Sequence, residues 1–334
     1  MQKRLLILLI LLLLLIASAS IHAATLKIAT LAPDGSNWMN QLRSCATEVE
    51  QRTAGRLKLR FYPGGVMGND SSVLRKIRIG QLHGGALTAG GLAAVYPDIQ
   101  LYSLPFLFRS FAEVDYVRER MDPLLIAGLK QRGFASYGIS EGGFAYLMSQ
   151  LPLDSVAHLR QQKIWTPEGD QISLGAFRSI GVSPVPLPLT DVLTGLQTGL
   201  IDTVGASPVG AIALQWHTRI RHVADIPLIY LYGTLVIHEK ALNKLSTGDR
   251  AILREVMEDR FRQINQQNRS DNLGAREALQ QQGIQFHRPL DGARESWQQL
   301  IDKVEANLQE ERRLDPPLIQ QLQRLLDDFR NTRG

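Results

Sequence analysis

The chain has 334 residues and carries 37 Lys and Arg against 32 Asp and Glu, a formal charge of +5. Its bases are interspersed with acids, as from Arg250 to Arg262, and without an aromatic-interleaved basic stripe this balance excludes nucleic acid as a partner. Its single cysteine, Cys45, excludes an intramolecular disulfide and any multi-cysteine metal site.

At the amino end, Lys3 and Arg4 precede an apolar run from Leu5 to Ile16, and the small residues Ala17 to Ser20 follow. This is the pattern of a secretory signal peptide with a cut after Ala23. The apolar run is short for a membrane span, and no cysteine stands at the cleavage region to carry a lipid. Removing the segment leaves a net charge of about +3 on a length that suffices for two domains.

Thr25 to Leu31 reads as a strand, and Ser36 as the cap of a helix to about Thr53. Arg56 to Tyr62 alternates again, Asn69 or Asp70 opens a helix through Ile79, and Gly84 to Thr88 makes a third strand. Cys45 falls in the helical spacing Trp38, Leu42, Cys45, Val49, so it is expected in a core rather than as a nucleophile. The glycines between Gly84 and Gly91 lack the lysine and Ser/Thr of a phosphate loop and the spacing of a dinucleotide fingerprint. They are expected to let two backbones approach.

A second alternating unit starts at Lys163. Lys163 to Pro167 is strand-like, Gln171 to Ser179 a short helix ended by Gly181, and Val182 to Pro186 another strand. Thr190 is expected to cap a helix carrying Val192, Leu193 and Leu196, with Gly199 ending it and Leu200 to Val204 forming a third strand. Alternation at this spacing favours a parallel sheet, and such sheets bind ligands beyond the carboxyl ends of their strands. Trp165 and Ser207 fall near two such ends.

Ser246 to about Gln282 places Ile252, Leu253, Val256, Met257, Phe261 and Ile264 on one face, which fades into a Gln- and Asn-rich half. A helix apolar at one end and polar at the other suits a strut between two lobes. Ala293 to about Arg313 and Pro316 to about Arg330 read as packing helices, with Pro316 and Pro317 in the first turn of the second.

Taken in order, several short motifs converge. Leu26-Lys27-Ile28-Ala29, Gly35-Ser36-Asn37-Trp38, Leu59 to Pro63 with Gly68, and Leu104-Pro105-Phe106 precede Lys163-Ile164-Trp165-Thr166-Pro167. Gly181-Val182-Ser183-Pro184, Leu196-Gln197-Thr198-Gly199, Ile201-Asp202 and Pro208 follow it. Together they resemble the TRAP-type solute-binding proteins, the periplasmic receptors of tripartite ATP-independent transporters. The resemblance implies an α/β chain with the two-lobed periplasmic-binding-protein fold and a long lobe-bridging helix. With 1–23 read as signal peptide, it implies 24–140 as the first part of lobe I and 141–230 as the first part of lobe II. Residues 231–245 would return to lobe I, and 246–334 would form the bridging and C-terminal helices, mostly with lobe II.

The departures concern the ligand. Members of that family typically have an arginine where this chain has Trp165, and its guanidinium takes a ligand carboxylate in a bidentate pair. A second common arginine aligns with Ala145, and a common asparagine with Ser207. Leu31, Thr88 and Leu189 align with ligand-contacting positions, and Tyr230 and Tyr232 sit near the return crossover. The expected site is therefore a cleft lined by Trp165, Ser207, Ala145, Leu31, Thr88, Leu189, Tyr230 and Tyr232.

No catalytic set assembles in the sequence. There is no Gly-x-Ser-x-Gly elbow, Glu141 beside Gly142-Gly143 has no partner base, and His217 and His222 have no Cys, Asp or Glu at ligand spacing. The expected function is a periplasmic receptor, not an enzyme, with no cofactor or metal. It would close around a small, largely apolar molecule and pass it to an inner-membrane transporter, either a TRAP permease or another transporter for apolar cargo. An ordinary dicarboxylate receptor using another arginine, such as Arg178, is the alternative, and a secreted enzyme or a sensor or scaffold on the same fold is a second.

Overall fold

The computed structural model describes residues 23–153, 156–288 and 314–333. The expected signal segment to residue 22 and the expected helix from Ala293 to Arg313 lie outside the described residues. Among the described residues, no helix is long and apolar enough to cross a membrane.

The first alternating unit folds as its pattern indicates. Strand β1 (Ala24–Thr30), helix α1 (Asn37–Arg52), β2 (Leu57–Tyr62), α2 (Asp70–Arg78) and β3 (Gly84–Thr88) follow one another. The Ser36 side chain accepts from the Met39 backbone N–H at 3.3 Å, and Asn69 accepts from Ser72 N–H at 3.0 Å, so each satisfies an otherwise orphaned donor at a helix start. On α1 the buried stripe is Met39, Leu42, Cys45 and Val49. Trp38 lies beside that stripe rather than in it. Cys45 is fully buried with its Sγ 3.2 Å from Met257 Sδ, and burial pushes its thiol up to about 12, which fits a core residue.

One seven-stranded sheet runs through the molecule in the order β2-β1-β3-β8-β4-β7, with β9 (Gln285–His287) also on β8. The two central strands, β4 (Phe134–Ser149) and β8 (His222–His238), are long enough to serve both lobes. The first half of β4 pairs with the second half of β8 beside β3, while the second half of β4 pairs with β7 (Thr203–Ala206). Between these halves the register slips at Ser136/Ile139, Glu141/Gly143 and Ala145/Leu147. Bulges bend and twist a sheet while leaving backbone groups unpaired. The bend separates the lobes; the unpaired groups need other partners.

Helix α7 supplies those partners. It runs from Thr247 to Gln281, 35 residues capped by Ser246 and Gln282. Its first half buries Leu253, Val256, Met257, Phe261 and Ile264 with β1, α1 and β2, and Leu279 near its end joins the core of the second lobe with Trp165 and Val204. The polar middle faces the bulged segment of β4. Asn265 accepts from Glu141 N–H at 2.8 Å and donates to the Ile139 carbonyl at 3.0 Å, and Asn268 donates to the Glu141 carbonyl. The Asn-rich stretch thus stitches the strut to the crossover.

Gly143 sits in this crossover with φ +84, and a Cβ there would stand 2.7 Å from Asn272 Nδ2. Gly143→Ala is expected to lower stability by about 1–2 kcal/mol from left-handed backbone strain alone, with further loss if Asn272 is displaced. Urea unfolding measures it. A variant as stable as the parent would show that the crossover relaxes freely.

The second unit comprises β5 (Trp165–Pro167), α4 (Gln171–Ser179), β6 (Val185–Leu187), α5 (Val192–Thr198) and β7. β5 and β6 are parallel, and Ile164 bridges in parallel to Thr203, so the expected parallel arrangement is present in a short form. Local details differ from the sequence reading, and β6 starts at Val185 rather than Val182. Trp165 begins its strand instead of ending it, because Ile164 is engaged by the bridge to Thr203. The third strand starts at Thr203 rather than Leu200. Thr190 does not cap α5; a 3-10 turn at Leu189–Asp191 leads in, and Thr190 donates to Asp191 instead. Gly199 ends α5 at φ 70, as expected.

Helix α3 (Phe111–Gln131) packs beside β4, and the last helix, α8 (Pro316–Arg333), lies on α3. Leu322 and Leu326 of α8 share a core with Val73, Val114 and Leu129. The apolar face of α8 thus packs against α3.

Candidate ligand-binding site

A cavity of about 790 Å³ lies between the lobes, closed at its base by the crossover of β4 and β8. Leu31, Thr88, Trp165, Leu189, Ser207 and Tyr232, all expected in the cleft, line it. Each reaches it through local chemistry. Thr88 ends β3, where its hydroxyl accepts from Gly91 N–H at 3.0 Å and donates to Asp70 at 2.7 Å. Ser207 follows β7 and caps helix α6 (Pro208–Ala213), accepting from Gly210 N–H at 3.2 Å. The Tyr232 hydroxyl is turned away from the ligand space, donating to the Ile99 carbonyl and accepting from Tyr102 N–H at 3.2 Å.

Trp165 is 6% exposed. Its indole N–H donates to the Leu187 carbonyl at 3.0 Å, tying β5 to β6, and its ring meets Trp216 edge-on at 5.2 Å between centroids. Trp216 also lines the cavity. Trp38 does so from the opposite lobe, with its N–H on Ser140 Oγ at 3.1 Å. Indole faces, not indole donors, are what these residues offer a ligand.

Ala145 and Tyr230 do not line the cavity. Ala145 is fully buried. Tyr230 is 2% exposed and absent from the wall although Ile229, Leu231 and Tyr232 line it, because its ring is buried in the aromatic core beside Tyr232. There it packs edge-on against Phe108 and Phe144, donates to Glu141 at 2.8 Å and accepts from Arg118 at 2.8 Å. Arg178, the alternative cation, is exposed on α4 and is also absent from the wall.

The charges of the wall escaped the sequence reading. The described lining residues include Asp70, Glu141, Glu168 and Asp170 and no Lys, Arg or His. Glu141 has a fully buried side chain and is held from behind by Arg269, through two contacts of 2.8 Å. Asp170 caps α4 and accepts from Gln100 at 3.0 Å and from Ser173. Glu168 at the rim accepts from Asn69 of the opposite lobe at 2.8 Å. Because Asn69 takes the cap of α2, Asp70 becomes the first helical residue and its carboxylate reaches Thr88. Gly91 leaves room for it, since a Cβ there would lie 2.1 Å from Asp70 Oδ2. Burial pushes the Asp70 carboxyl above the usual carboxylate range.

A large, apolar cavity between two lobes that share a bent sheet suits a solute receptor, with polar groups fixing orientation rather than performing chemistry. Residues 28–312 match the family described as bacterial extracellular solute-binding protein, family 7, and the chain belongs to that family. Its members are periplasmic receptors of TRAP-type systems, which bind small molecules and work with membrane permease components, and they are not enzymes.

A sialic acid-binding periplasmic protein of Vibrio cholerae is 24% identical over 300 residues, covering 87% of this chain and 92% of its own. Two solved structures share the fold. A TRAP periplasmic solute-binding protein of Xanthobacter autotrophicus with bound β-D-galacturonate superposes with a TM-score of 0.82 at 17% identity, covering 90% of this chain and 99% of its own. A sugar acid-binding protein of Advenella mimigardefordensis in complex with galactonate gives 0.84 at 16% identity, covering 92% and 99%.

Proposed function

We propose that this receptor takes an uncharged or otherwise non-anionic, largely apolar small molecule, with Trp165, Leu31, Thr88, Leu189, Ser207 and Tyr232 forming the contact surface. The observation that carries this reading is the absence of any basic side chain among the described residues of the cavity wall. The relatives named above bind sialic acid, galacturonate and galactonate. A carboxylate moved from water into this cavity would face Asp70, Glu168 and Asp170 with no basic side chain in the described wall, at a loss of several kcal/mol. Apolar surface laid on the indoles gains roughly 2.5 kcal/mol per 100 Å² removed from water.

In this reading the lobes are 24–140 and 141–230, with 231–245 returning to the first and 246 onward bridging them, and ligand binding draws them together. The protein acts in the periplasm after loss of residues 1–23. It delivers its cargo to an inner-membrane partner, a TRAP permease or another transporter suited to apolar molecules.

Calorimetry tests the reading by comparing succinate and galacturonate with neutral aromatic and alicyclic compounds. The acids are expected to show no saturable heat. A neutral ligand at a hundredfold excess over its dissociation constant should stabilise the protein by about 2.7 kcal/mol. Saturable succinate binding in the micromolar range would return the protein to the carboxylate receptors.

A further inference from the structure

We propose that the cargo carries a protonated amine on its apolar body, held at Asp70 on one wall and Thr166 on the other; this rests on the non-anionic cavity described above. Three of the four acids in the wall are already matched. Glu141 is paired with Arg269, Asp170 is bound by Gln100 and the start of α4, and Glu168 is bound by Asn69. Asp70 differs. Its Oδ2 accepts the Thr88 N–H and hydroxyl, but its Oδ1 is shielded from solvent and has no hydrogen-bond partner. Thr166, in the middle of β5, is 1% exposed, lines the same cavity and has an equally unpartnered Oγ1.

An unsatisfied carboxylate oxygen shielded from water is costly until a donor reaches it, and a cation repays most. Four side-chain donor groups of the wall are already engaged. The N–H groups of Trp38 and Trp165 are committed to Ser140 and Leu187, and the Asn69 and Gln100 amides donate to the two acids they face. None of these groups donates to Asp70 Oδ1, so a donor carried by the ligand would satisfy it. An ammonium supplies three donors and the charge that Asp70 lacks. The indole faces of Trp38, Trp165 and Trp216 favour the same group, because their quadrupoles attract cations.

The test uses three probes with one apolar body, titrated calorimetrically into the mature protein at neutral pH: phenethylamine, phenethyl alcohol and hydrocinnamate. The amine is expected to bind at least about ten-fold more tightly than the alcohol, about 1.4 kcal/mol, with hydrocinnamate not bound. Asp70→Asn should bring the amine to within about two-fold of the alcohol, with urea unfolding showing that the variant is folded. Thr166→Val should weaken the amine several-fold. Equal affinities for amine and alcohol in the parent protein overturn the amine assignment and leave the apolar reading intact, even if Asp70→Asn does not fold. Undiminished amine binding by folded Asp70→Asn also overturns it. Tight hydrocinnamate binding overturns the non-anionic reading, and failure of all three probes at millimolar concentration counts against both.

Discussion

Trp165→Ala is expected to lower stability by about 3–5 kcal/mol, the range for emptying a buried tryptophan site, and to weaken every apolar ligand. The ring is buried in one cluster with Val192, Leu196, Ile201 and Val204, so truncation opens a hole inside the second lobe. It also removes the edge-on contact with Trp216, worth about 0.5–1.5 kcal/mol beyond area, and the hydrogen bond to the Leu187 carbonyl. Trp165→Phe separates these contributions. It retains a ring against Trp216 but leaves Leu187 without its donor, for a smaller loss of about 1–3 kcal/mol. Urea unfolding gives the stabilities and calorimetry the affinities. Near-parental stability of Trp165→Ala would mean that β5 and β6 do not depend on the indole.

Arg269→Met is expected to lower stability by about 2–4 kcal/mol, because it leaves Glu141 buried without its main partner. Glu141 has no exposed side-chain surface, and Arg269 is its bidentate ligand. Arg118 remains at 3.8 Å and the Tyr230 hydroxyl at 2.8 Å, which keeps the loss below that of a fully abandoned charge. The second pairing of Arg269, with the exposed Asp115, adds little, since solvent screens it. In Glu141→Gln/Arg269→Met the buried charge is gone as well. The double variant should therefore be more stable than the sum of the single losses indicates, by more than about 1 kcal/mol. Additive losses would show that the pair does not couple. Since Arg269 lies on α7 and Glu141 at the bulge of β4, the same contact ties the strut to the crossover, and its loss should also loosen the lobes.

The elements that could be read directly from the chain are those whose stabilising signals are local. Ser36, Asn69 and Ser246 each cap the helix that follows, and α7 begins and ends within a residue of its sequence signals, because caps and apolar periodicity act within a few residues. The third strand was likewise expected at Gly84 to Thr88, where β3 lies. Trp165 and Ser207 could be placed in the cleft because they adjoin strands of an alternating unit.

The properties that decide what the cavity accepts depend on residues far apart in the chain. Glu141 had no recognisable partner in sequence, since Arg269 lies 128 positions away and meets it only where α7 crosses β4. Ala145 was expected in the cleft from its alignment and Tyr230 from its place near the return crossover; in the structure both are buried and neither lines the cavity. Asp70 had a local signal only as a helix start; its role in the wall follows from Asn69 taking the cap and Gly91 making room for the carboxylate. Local hydrogen bonding and periodicity therefore determined the helices and most strands from the sequence itself, while the kind of receptor was implied by the resemblance of its motifs to the solute-binding family. The charge of the cavity was decided only when the bent sheet brought Asp70, Glu141, Glu168 and Asp170 together and left Arg178 outside, because electrostatics acts through space and not along the chain.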